Sequence, residues 1–185
     1  MMKKIAYTLT GSRLYGTHHA QSDYDYVTLY VDSTQKGHRK SDNKAHKLHE
    51  DQDNQYRSLD SFLESCAKGS PNDLDTLFSP LMEFYAPEYR PLLTQFRPNY
   101  GEAYKRCLGM ISAYEAKMED NSLKATRHMF RIAMNGYKLQ TQGWYNPRMT
   151  KQELARLEEM TQANLHLSTE EKKELAKRLM DTNRL

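Results

Sequence analysis

Three prolines, Pro87, Pro91 and Pro98, fall within residues 85–99. Proline gives up its backbone donor and biases the residue before it away from helix. No long helix or central strand can run through this stretch, so it divides the chain. Before it lie short β-prone segments punctuated by turn residues; beyond it, apolar residues recur at helical spacing. The expectation is an α+β protein. Residues 1–84 form a core with a small mixed β-sheet flanked by helices, and residues 85–185 form an all-helical C-terminal region. A chain of 185 residues suits one ordinary domain, or a small domain with a helical extension. Charged residues reach 28%, yet 13 Tyr, 5 Phe and 10 Met supply a core, which argues against a disordered chain.

The local pattern fills in this outline. Residues 3–10, KKIAYTLT, predict a strand, followed by Gly11-Ser12 and a short helix. Residues 24–31, YDYVTLYV, are the strongest strand signal, rich in aromatic and β-branched side chains. Residues 33–47 read as a mobile loop and 48–57 as a weakly patterned third strand. Ser58 caps a helix with Leu59, Phe62, Leu63 and Cys66 on one face, and Pro71 opens a second. Helices follow over 100–118, with Ala103, Cys107, Ile111, Tyr114 and Met118 at helical spacing, and over 122–139, 150–163 and 168–181. Thr150/Glu153 and Ser168/Glu171 fit the capping box.

Several classes are excluded. No apolar run reaches the roughly 18 residues of a transmembrane span. The N-terminus lacks an apolar stretch of signal-peptide length, so a cytoplasmic protein is expected, with no membrane partner. Cys66 and Cys107 are the only cysteines and form no C-x-x-C pair; they predict buried free thiols, with neither a disulfide nor a cysteine zinc site. His18-His19 has no third ligand at sensible spacing and predicts exposed loop histidines. The net charge is only +3, but its distribution is uneven. From Ser122 to Lys151 there is no Asp or Glu, while Lys124, Arg127, Arg131, Lys138, Arg148 and Lys151 are present with His128. A second basic segment, 35–49, holds Lys36, Arg39, Lys40, Lys44 and Lys47. Such runs are either solvated faces or sites for a polyphosphate or nucleic acid.

The chemistry concentrates at Gly11-Ser12 and Asp23-x-Asp25. Residues two apart on a strand share a side, so Asp23 and Asp25 present two carboxylates to one spot. Like charges so placed repel unless a cation sits between them. Mg2+ is the natural partner, being hard and commonly held by one or two carboxylates plus substrate phosphates. Glycine lets the chain approach a phosphate closely. Tyr24 and Tyr26 fall on the other face of that strand and are expected in the core; Trp144 and Tyr145 either stack on a base or plug the end of a helix.

In this arrangement the chain resembles the DNA polymerase β-like nucleotidyltransferase superfamily. Its pattern is Gly-Ser, then D-x-D on the next strand, then a third carboxylate on a later strand. It is most similar to the RNA-repair-associated branch of predicted nucleotidyltransferases. That branch carries a segment of the type lkgNPn-l-E and a later helix with lysine, histidine and arginine. Here these read Ala67-Lys68-Gly69-Ser70-Pro71-Asn72-Asp73-Leu74-Asp75 and Lys124-Ala125-Thr126-Arg127-His128-Met129-Phe130-Arg131. Ser70 stands for the usual Asn and Asp75 for the usual Glu. The resemblance covers about residues 4–145.

The resemblance implies Mg2+-dependent transfer of a nucleoside monophosphate from a nucleoside triphosphate to a hydroxyl, most plausibly an RNA or tRNA 3′ end. Two Mg2+ ions are expected, with Mn2+ a possible substitute. Asp23, Asp25 and Asp53 would be the catalytic metal ligands, with Asp51 the alternative to Asp53. Gly11, Ser12, Arg13, Lys124, His128 and Arg131 would bind the nucleotide, and residues 85–185 would complete the nucleotide and acceptor cleft. Two rivals differ in outcome: nucleotidylation of a protein hydroxyl, as in toxin–antitoxin relatives of the fold, or a catalytically silent nucleic-acid-binding module.

Overall fold

The computed structural model describes residues 2–32, 45–49, 52–115 and 122–182; at 45–49, 52, 53, 115 and 122 it describes the backbone alone. Among the described residues the architecture is α+β, with a mixed sheet, flanking helices and a helical C-terminal part. The chain divides into two compact units.

The first unit comprises residues 1–67, 72–97 and 146–148. Its sheet contains β1 (Met2–Thr10), β2 (Tyr24–Asp32), β3 (Ala45–His49), β4 (Gln52–Ser58) and β5 (Glu83–Phe84), in the order β3-β4-β2-β1-β5. The weak 48–57 signal therefore resolves into the end of β3 and all of β4 but its last residue, Ser58. Of the segment read as a loop, residues 45–47 belong to β3, and 33–44 lie outside the described residues, with most of the 35–49 basic segment.

β2 runs antiparallel to β1 and parallel to β4. Flanked on both sides, it buries Val27, Thr28, Leu29 and Tyr30 in succession, as a central strand does. The Thr28 hydroxyl donates to Asn54 Oδ1 at 3.0 Å, satisfying two buried polar groups across the β2–β4 pair. A bulge between Lys4 and Ala6 turns the Ile5 carbonyl toward β5, where it accepts from the N–H groups of Tyr85 and Ala86.

Helices α1 (Gly11–Tyr15), α2 (Leu59–Ala67), α3 (Pro71–Leu77) and α4 (Arg90–Gln95) complete the unit. α2 packs on β2 and β4 through the expected face, with Leu59, Phe62 and Cys66 buried. Phe62 is fully enclosed, so truncation to alanine costs about 3–5 kcal/mol. Asp73 of α3 accepts from Arg57 Nη1 of β4 at 2.8 Å and from Ser65 of α2, tying three elements together. Burial, reinforced by the Asp73 charge, pushes the Cys66 thiol well above its usual range, so it is an inert buried group.

The second unit comprises residues 68–71, 98–145 and 149–185. Its helices are α5 (Tyr100–Glu115), α6 (Ser122–Gln142), α7 (Lys151–Ala163) and α8 (Thr169–Thr182). α6 packs against each of the other three. α5 buries Ala103, Cys107 and Ile111 at the predicted spacing; Met118 lies outside the described residues. α7 begins with the expected capping box, Thr150 and Glu153 each bonding the other's backbone N–H. Ser168 and Glu171 make the same exchange before α8. Gly69 sits at φ +75°, and a Cβ there would lie 2.1 Å from Ala103 Cα, so the backbone at this point of the motif meets α5 directly. Tyr145 is buried, with its hydroxyl near the Pro71 carbonyl (3.4 Å), and so plugs the end of α6; Trp144 is 49% exposed. Both cysteines are buried and free, as expected. No helix among the described residues is long and apolar enough to cross a membrane.

Candidate active site

The site grows from the end of β1. Thr10 closes the strand, and the chain turns at Gly11 into α1 with φ +66°. Thr10 is the ladder partner of Asp25, and its hydroxyl donates to the Asp25 carbonyl at 3.3 Å. Gly11 therefore lies against the Asp25 side chain. A Cβ on Gly11 would come within 2.4 Å of Asp25 Oδ2, so no residue with a side chain fits here unless the carboxylate moves. The left-handed φ excludes most other residues independently. Ser12 closes the turn, its carbonyl accepting from the N–H groups of Gly16 and Thr17, each at 3.0 Å.

Asp23 is exposed and stands one residue before β2; Asp25 is half-buried, the second residue of that strand. Arg13 fixes the chain at Ser22–Asp23. Its Nη2 donates to the Ser22 carbonyl at 2.7 Å, and its Nε to the carbonyls of Ser22 and Asp23 at 3.1 and 3.2 Å. The guanidinium lies 3.6 Å from the centre of the Tyr24 ring. Arg13 thus orients the segment that carries both carboxylates. Tyr24, expected in the core, is 37% exposed because its ring serves as the base for Arg13. Tyr26 is half-buried beside Tyr7.

The register extends the row to a third strand. Thr10 pairs with Asp25, Asp25 with Asp53 across the parallel β2–β4 ladder, and Asp53 with Lys47 of β3. At Asp53 the backbone position alone is described, and Asp51 lies outside the described residues. Among the described side chains no cluster of three or more His, Cys, Asp or Glu is of a kind to hold a metal. The described donors are the carboxylates of Asp23 and Asp25, hard oxygen ligands whose chemistry suits Mg2+.

Lys124, His128 and Arg131 lie on α6, in the second unit. Lys124 is exposed; His128 is half-buried and stacked on Tyr114, with ring centres 5.6 Å apart; Arg131 is 2% exposed. Two other cations of the acid-free stretch find their counter-charges on α7. Arg127 pairs with Glu158 at 2.9 Å, and Lys138 pairs with Glu153. Glu158 is held below the usual carboxylate range by its hydrogen bond from Gln162 and then by Arg127. For Glu153, burial works to raise the pKa, but Lys138 and the Thr150 N–H outweigh it and hold it low. Asp75 is 1% exposed in α3, so the acidic position of that motif lies inside the first unit.

Sequence reasoning missed the positioning role of Arg13 and the place of Thr10 opposite Asp25. An arginine two residues beyond the glycine turn is a weak signal for the first; only the strand register reveals the second.

Residues 3–182 match the model of the RNA repair pathway DNA polymerase beta family. A search of curated proteins finds no match to the chain.

Proposed function

Because the chain belongs to the RNA repair pathway DNA polymerase beta family, a branch of the DNA polymerase β-like nucleotidyltransferases, we propose that it transfers a nucleoside monophosphate from a nucleoside triphosphate to an RNA hydroxyl, with a tRNA or other RNA 3′ end as acceptor. The observation that carries this reading is the row Thr10–Asp25–Asp53, with Gly11 held against the Asp25 carboxylate.

In this reading Asp23, Asp25 and Asp53 hold divalent metal, Mg2+ by preference and Mn2+ as a substitute. When bound, the metal neutralises the triphosphate and lowers the pKa of an attacking hydroxyl. The register supports Asp53 over Asp51 as the third ligand, since it is Asp53 whose Cα pairs with that of Asp25. Asp53 also takes the proton of the acceptor hydroxyl. Gly11 makes room for the Asp25 carboxylate itself, and Ser12 binds the terminal phosphates. Arg13 works through the backbone, holding the Ser22–Asp23 turn so that both carboxylates are placed before substrate arrives. Lys124, His128 and Arg131 contact the nucleotide, a role supported by their match to the family's helix motif. Most of the rate enhancement is positioning and charge neutralisation.

Incubation of the purified protein with labelled nucleoside triphosphates, Mg2+ and either total RNA or protein extract tests the reading. Label is expected in RNA. Label in protein would move the acceptor to a protein hydroxyl, and no label in either would overturn the enzyme assignment. Asp23→Ala should abolish labelling while leaving the circular-dichroism spectrum unchanged.

A further inference from the structure

One face of the sheet is lined with tyrosine. Side chains alternate along a strand, so Tyr24, Tyr26, Thr28 and Tyr30 of β2 share the face opposite to Asp25. Ladder partners carry that face outward, with Tyr7 of β1 opposite Thr28, Lys4 opposite Tyr30, and Tyr56 of β4 opposite Thr28. The rings form a continuous series. Tyr26 and Tyr7 have centres 6.3 Å apart, and Tyr7 stacks on Tyr85 at 5.3 Å with 21° between planes. The series ends in Tyr85, which is 60% exposed. Cations border it: Lys4 Nζ lies 5.5 Å from the centre of the Tyr56 ring, and Arg13 covers Tyr24. The face holds an acid too, Glu83, which accepts the Tyr7 hydroxyl proton in a hydrogen bond.

Of these rings Tyr85 and Tyr24 are exposed, Tyr7, Tyr26 and Tyr56 are half-buried and Tyr30 is buried, and a row of flat rings that opens at Tyr85 and is bordered by cations matches one ligand chemistry closely. Unpaired bases stack on aromatic rings while the phosphates between them seek positive charge. Paired bases are already stacked on each other and do not present their faces. We infer that this face is a binding platform for single-stranded RNA, with Tyr85 as an outer stacking position and the row leading through Tyr7 and Tyr26 toward Tyr24, which stands in the chain between Asp23 and Asp25. The inference rests on the reading above, which makes RNA the acceptor, and adds that the acceptor is bound as an unpaired strand by ring stacking.

Fluorescence anisotropy with a labelled single-stranded RNA of about ten nucleotides tests it, alongside the same strand as a perfect duplex and an abasic strand of equal length. The parent protein should bind the single strand best. Tyr85→Ala should weaken that binding about tenfold, the size of one lost base–aromatic contact, and Tyr85→Trp should retain it. Because Tyr85 is largely exposed, its truncation leaves the fold intact, which a thermal melt checks. Equal binding of the abasic strand, or parental binding by Tyr85→Ala, would overturn the inference. Asp25→Ala separates the two readings. RNA binding that survives this substitution and depends on Tyr85 sustains the platform even where no nucleotidyl transfer is found. Transfer to RNA that Tyr85→Ala leaves at parental KM sustains the enzyme and removes the platform.

Discussion

The carboxylate end of the sheet and the basic helix α6 both carry charged residues that the sequence marks out, but the fold treats them differently. At the sheet, backbone geometry sets the positions. A ladder fixes Asp25 opposite Thr10, the turn at Gly11 leaves space for its carboxylate, and Arg13 grips the segment that holds Asp23. On α6, cations that look alike in the sequence separate into distinct roles. Arg127 and Lys138 are matched by acids of α7, Arg131 is buried, and Lys124 is exposed. A run of like charge along one helix says little until the neighbouring helix is known, whereas the place of Asp25 against Gly11 follows from the β1–β2 ladder itself.

The comparison breaks first at Asp25. Asp25→Ala is expected to lower nucleotidyl transfer about 10³-fold or more, because in the proposed reaction this carboxylate holds the metal and substrate. A parental rate would end the site assignment. Next comes Gly11→Ala, which forces a side chain into a left-handed turn 2.4 Å from Asp25 Oδ2. It should cost about 1–3 kcal/mol in denaturant unfolding and about a hundredfold in transfer rate, since a displaced carboxylate misplaces what it holds.

On α6 a pair of variants sharpens the contrast. Lys124→Ala should raise the KM for the nucleoside triphosphate about tenfold, the weight of a charge-assisted hydrogen bond. Arg127→Ala should leave KM unchanged and remove about 0.2–1 kcal/mol of stability, as expected for a partly exposed ion pair. Equal KM effects would show that pairing with Glu158 does not keep Arg127 from the nucleotide.

The smallest effect is in pH. Glu153 and Glu158 have folded-state pKa values below the ordinary glutamate value near 4.3. Their stabilisation is complete above that value and is lost as pH falls through the lower, folded one. Melting temperature should therefore fall on acidification below about pH 4, and less steeply in Glu153→Gln than in the parent.

Much of this fold was legible because it is written locally. β1 alternates in part, β2 is rich in aromatic and β-branched side chains, α2 has its apolar face, and Thr150 and Ser168 announce their helices with capping boxes. The illegible parts depend on neighbours. β5 has only two residues, too few for any period, and is defined by its pairing with Ala6 and Tyr7 of β1. The prolines that divide the sequence also start structure: Pro87 opens a 3-10 turn and Pro91 lies in the first turn of α4, where its missing N–H costs nothing. At the site, Gly11, Asp23 and Asp25 could be found from their order. The pairing of Asp53 with Asp25 could not, because a parallel ladder joins segments distant in the chain. The Tyr24 ring read as core because alternation cannot say which side of a sheet is covered.

The parallel β2–β4 ladder has one more effect on how the protein fails. Gln52 and Asn54 flank Asp53, so sliding β4 by a single residue in either direction would set an amide opposite Asp25. A mispaired molecule would therefore set no third carboxylate opposite Asp25, and in the proposed reaction only the correctly threaded sheet would be armed.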